Sequence, residues 1–106
     1  MKIRNKDKKR IIEIACECLN NPFEIWVYGS RVDGTAHEAS DLDLVIRTDD
    51  QSPVSAGQLT AFQEMLNDSN IPIIVQVHDW ARLPESFRNR IKKNYEVLYS
   101  FKEKIE

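Results

Sequence analysis

The chain has 106 residues, 15 lysines and arginines against 17 aspartates and glutamates, and a formal net charge of -2. That length suits one domain with one core and leaves no room for a separate substrate domain, so a substrate is expected to be small or carried by another protein. The near-balanced charge gives no global attraction to nucleic acid or an anionic membrane, and no apolar run reaches spanning length or resembles a secretory signal; direct nucleic-acid binding is not expected and the cytoplasm is the expected location.

Lys2, Arg4, Lys6, Lys8, Lys9 and Arg10 crowd the first ten residues, a cluster that reads as the solvated start of a helix. The helix is expected from about Asp7 to Asn20, with Asp7 as N-cap, Asn20-Asn21-Pro22 as stop, and Ile11, Ala15, Cys18 and Leu19 on one face. Cys16 and Cys18 diverge on that helix, cannot pair, and read as buried or half-buried apolar residues of a reducing compartment. A strand follows at Ile25 to Tyr28 and ends at Gly29.

The second strand is expected from Leu42 to Arg47, with Leu42, Leu44 and Ile46 on one face and Asp43, Val45 and Arg47 on the other. Ser55 to Gln58 has capping-box spacing and opens a helix with Leu59, Phe62 and Leu66 buried, reaching about Asn67. Ile73 to His78 is so apolar that it predicts an interior strand covered on at least one face. The last helix begins near Pro84 and presents Leu83, Phe87 and Ile91 to the core, and Tyr95 to Phe101 adds an edge strand. This order predicts an α/β (α+β) fold: one mixed sheet, the long helices on one face, the site on the open face, all within residues 1–106.

The chemistry concentrates between Gly29 and Asp43. Glycine lets the main chain approach a phosphate, exposed amides and a short helix from Ser30 to about Asp33 aim positive dipole ends at it, and Ser30 and Arg31 add a hydroxyl and a planar cation. Asp41 and Asp43, two apart, point to the same side in strand geometry, about 7 Å apart at the backbone. Like charges that close favour a hard cation between them, and magnesium fits because it is commonly held by one or two carboxylates plus triphosphate oxygens. Gly-Ser alone or Asp-x-Asp alone is a weak signal; the pair, with strands before and after, predicts a nucleotide site.

Gly29-Ser30, ten residues, then Asp41-Leu42-Asp43 closely resembles the signature of the DNA polymerase beta nucleotidyltransferase superfamily. The likeness runs through the Asp79-Trp80-Ala81-Arg82-Leu83 segment and is to its minimal nucleotidyltransferases, antitoxins found beside HEPN-domain toxins. The resemblance implies a polymerase-beta-like core, ATP as substrate, Mg2+ held by Asp41 and Asp43, Gly29 and Ser30 as the triphosphate turn, and AMP transfer to a hydroxyl of the partner, a tyrosine of a HEPN toxin. The family's third carboxylate matches the position of Gln76, an amide that can orient a nucleophile but cannot take its proton at neutral pH. Three readings follow for the catalytic set Asp41, Asp43 and Gln76: a slower enzyme on two carboxylates, an enzyme that borrows a base from its partner, or a nucleotide-binding module that neutralises its partner by contact. Adenylylation of a small-molecule hydroxyl is a weaker fourth. His78 shares the strand face of Gln76, while Asp79 reads as a turn or capping residue. Trp26, Tyr28 and Trp80 read as core or partner contacts ahead of base stacking, and Arg47 as a phosphate contact or a partner of Asp43. Homo- and hetero-oligomers both remain open.

Overall fold

The computed structural model describes residues 3–20, 22–29 and 41–100. Helix α1 (Asn5–Cys18) leads to strand β1 (Phe23–Tyr28) and strand β2 (Leu42–Thr48), then helix α2 (Ala56–Asn67) and strand β3 (Val75–Asp79). A single 3₁₀ turn (Trp80–Arg82) precedes helix α3 (Glu85–Lys93) and strand β4 (Tyr95–Ser100). The sheet order is β3-β2-β1-β4, with β1 antiparallel to both neighbours and β2 parallel to β3. The parallel pair requires a crossover, and α2 supplies it. The expected mixed-sheet α+β fold is therefore the observed one.

Burial follows the period of two along the strands. Ile25 and Val27 of β1 and Leu42, Leu44 and Ile46 of β2 are fully buried with Ile11 and Ile14 of α1 and Phe62 of α2. The long helices share that face, as expected from their stripes. Ser55 caps α2, its side chain accepting from the Gln58 amide. Trp26, Val45, Trp80 and Ile91 form a second cluster on the opposite face, edged by Tyr28, Leu83 and Phe87. So Leu83, Phe87 and Ile91 do pack inward, but against the face expected to stay open, because Trp26 and Val45 offer apolar area there that α3 and the 3₁₀ turn remove from water.

Three local expectations need correction. Asp7 is not the N-cap of α1: Arg4 takes that position, and Asp7 lies buried in the first turn, accepting from Arg4 Nε (2.9 Å) and Nη2 (3.2 Å), where the helix dipole also favours a carboxylate. Cys16 is exposed, Cys18 is half-buried against Met65, and neither forms a disulfide. Strand β3 is an edge strand of the described sheet, starting at Val75 rather than Ile73, with Ile74 62% exposed. The apolar run signalled cover on one face only. The outer edge is closed instead by the Gln63 side chain of α2, which accepts from Val77 N (3.0 Å) and donates to Val75 O (2.7 Å) as a neighbouring strand would.

Candidate active site

Strand register brings the acidic pair, the glycine turn and Gln76 to one end of the sheet. Tyr28 stands opposite Asp43, Asp43 opposite Gln76, and Asp41 immediately precedes β2. Gln76 Nε2 donates to Asp41 Oδ2 at 3.4 Å, a long bond for an exposed pair. Partial burial pushes the Asp43 carboxyl above its usual range, the Asp41 charge pushes it further, and His78 opposes both. The Asp41 charge therefore reaches Asp43, as in a pair placed to share a hard cation. Among the described residues no group of three or more histidine, cysteine or carboxylate side chains is arranged for a metal. The donor set, two repelling carboxylates, suits magnesium, whose remaining positions water and phosphate oxygens fill.

Gly29 is tied to Asp43 sterically. Its φ is +86°, and a Cβ there would stand 2.8 Å from Asp43 Oδ2. Any L side chain would be strained and would strike the carboxylate. Tyr28, half-buried beside the pair, has its phenol pushed up to about 12 by burial and then by Asp43, so it stays a protonated donor at neutral pH. Its ring meets Phe87 edge-on at 5.9 Å and lies 6.4 Å from His78. Ser30, Arg31 and the short helix expected after Gly29 lie outside the described residues.

Other candidates turn out to be structural. Arg47 does not reach Asp43, four residues and about 13 Å along the same strand. It pairs with Glu24, its direct neighbour in β1, at 3.2 Å, and its guanidinium lies between Trp26 (4.2 Å) and Trp80 (4.7 Å). Trp26 stacks on Tyr95 at 3.9 Å, and both tryptophans are buried, which leaves no face for a base. Asp79 caps the 3₁₀ turn through Ala81 N and also accepts from Val54 N and Arg82, tying the loop before α2 to the end of β3. Arg90 and Asn94 arrive beside Gly29 without having been singled out, and with them Phe87, whose spacing with Ile91 had signalled only a core stripe; Arg90 and Asn94 share an i, i+4 step toward the helix end.

The polymerase beta nucleotidyltransferase model matches residues 9–104. The chain belongs to this nucleotidyltransferase family. It is similar to the probable protein adenylyltransferase MntA of Haemophilus influenzae, with 32% identity over 96 residues that cover 91% of this chain and 82% of that protein. Among solved structures, a chain of a toxin–antitoxin crystal structure with AMP-PNP superposes with a TM-score of 0.73 at 17% identity, covering 95% of this nucleotidyltransferase and 77% of that chain. A chain of the complex of tri-AMPylated Shewanella oneidensis HEPN toxin with MNT antitoxin gives 0.70 at 11% identity, covering 96% and 76%. At such identities these two likenesses speak for the fold of the nucleotidyltransferase, not for its chemistry.

Proposed function

We propose that this nucleotidyltransferase transfers AMP from ATP to a hydroxyl of a protein partner, a tyrosine of a HEPN toxin, and so acts as its antitoxin in the cytoplasm. The observation that carries the reading is the convergence of Asp41, Asp43 and the Gly29 turn at one end of the sheet. Kinship with the Haemophilus influenzae protein supports it, and the fold is that of a chain in the complex of a HEPN toxin with an MNT antitoxin.

In the proposed reaction the acceptor oxygen attacks the α-phosphorus in line, the bond to the bridging oxygen breaks, and pyrophosphate leaves with the electron pair. Magnesium, held by Asp41 and Asp43, would neutralise the triphosphate and polarise its phosphoryl oxygens. Gly29 admits the phosphates to the main chain, and Ser30 and Arg31 join it in the proposed triphosphate turn. Gln76 orients the acceptor through its amide, and the acceptor proton leaves to a base other than Gln76, supplied by the partner or by water. Positioning and charge neutralisation are then the main contributions of the protein.

Incubating the chain with its HEPN partner, ATP and magnesium is expected to raise the partner's intact mass by AMP, with the adduct on a tyrosine. Asp43→Asn is expected to abolish the adduct with the fold intact. The absence of any adduct with the native chain would overturn the proposal. Gln76 favours a second reading, a module that binds nucleotide and neutralises its partner by contact alone. An Asp43→Asn variant that still protects cells from the toxin would select it.

A further inference from the structure

On the side of Gly29 away from the acidic pair, the last turn of α3 and the entry to β4 enclose a cavity of about 250 Å³, lined by Tyr28, Gly29, Phe87, Arg90, Ile91 and Asn94. Among the described residues its lining contains one cation, Arg90, and no carboxylate. Arg90 forms no ion pair among the described residues, and its guanidinium lies 5.9 Å over the Phe87 ring. The C-terminal end of α3 would repel an anion, but Arg90, Lys92 and Lys93 in its last turn offset that field.

Sheet order gives the cavity a direction. Gln76 is on β3, the acidic pair on β2, Gly29 at the end of β1, and Asn94 immediately precedes β4. A phosphate chain with its first phosphorus at Asp41 and Asp43, running across the Gly29 turn, has its free end at the next station, beside Arg90 and Asn94. A planar guanidinium matches two phosphate oxygens at once, and an amide adds a further donor.

We infer that Arg90, with Asn94, holds the terminal phosphate of the nucleoside triphosphate and keeps hold of it in the departing pyrophosphate, a role that rests on the nucleotidyl-transfer reading of the acidic pair. Arg90 is then a second recognition point, selecting triphosphates over diphosphates.

Calorimetric titration of the full chain with ATP and with ADP, both with magnesium, tests this. Arg90→Ala is expected to weaken ATP binding about ten-fold or more while ADP binding stays within about two-fold, because a charged hydrogen-bonded contact is lost only where the terminal phosphate exists. Arg90→Lys should fall between the two proteins, and pyrophosphate should compete less well against the alanine variant. Arg90 is exposed on a helix that alanine suits, so the fold should persist, as circular dichroism would verify. Equal losses for ATP and ADP would place the nucleoside or inner phosphates in the cavity and overturn the inference, as would no loss for either. If the native chain binds neither nucleotide, the nucleotidyl-transfer reading falls first and takes this role with it.

Discussion

Asp43 sits where three constraints meet: β2 places it opposite both Tyr28 and Gln76, Gly29 leaves it room, and Asp41 raises the cost of its charge. The consequence for stability has a definite sign. The folded chain holds Asp43 above the ordinary carboxylate value, so this group favours folding when protonated. That contribution is complete below the unfolded value and is lost as pH rises through the folded one. In buffer with EDTA, Asp43→Asn is therefore expected to be more stable than the native chain at neutral pH. The gap should narrow as pH falls and close below about 4, where the native carboxyl becomes protonated in both states. Urea denaturation of both proteins across that range would show it. A gap independent of pH would mean that the strain on Asp43 is steric and not electrostatic.

Among the elements, the end of β3 shows how one side chain can fasten a junction. Asp79 is 4% exposed and accepts from Val54 N at 2.9 Å, Ala81 N at 3.2 Å and Arg82, whose Nη1 also donates to Val54 O at 2.6 Å. It thus joins three segments: the loop before α2, the 3₁₀ turn and β3. Asp79→Ala leaves the Val54 amide without its acceptor and is expected to cost about 2–3 kcal/mol. The midpoint of urea denaturation should drop with an unchanged m-value. A loss under about 0.5 kcal/mol, the range of ordinary surface substitutions, would show that water replaces the carboxylate at that junction. Sequence patterning had already placed Asp79 in a capping role; its reach to Val54, 25 positions earlier, was not visible there because the contact is made only when β3 lies beside β2.

At the scale of the molecule, one sheet separates two apolar clusters with different duties. The larger joins the sheet to α1 and α2; the smaller, with Trp26, Val45, Trp80 and Ile91, seats α3 beside the site. Phe62 is fully buried in the first, so Phe62→Ala is expected to cost about 3–5 kcal/mol of stability. Well below its melting temperature the same variant should bind ATP within about two-fold of the native affinity, since sites without shared contacts act independently. Thermal melting and nucleotide titration on one sample would measure both. A large loss of affinity in the folded variant would show that the helical face sets the geometry of the acidic pair.

Local chemistry decided much of this protein in advance. Alternating apolar residues set the strands and their inward faces, helical spacing set the stripes of α1 and α2, and the spacing from Gly29 to Asp41 and Asp43 marked the candidate site, because such signals act within a few residues. The tertiary structure decided what depends on partners distant in sequence. Arg47 found Glu24 and two tryptophan faces because register, not proximity along the strand, chooses its neighbours. Strand β3 went to the edge because an apolar run records how many faces are covered, not how many strands stand beside it. The face expected to lie open received α3, and with it Phe87, Arg90 and Asn94 came to the side of Gly29, since only the packed sheet brings the last helix to the end of the first strand.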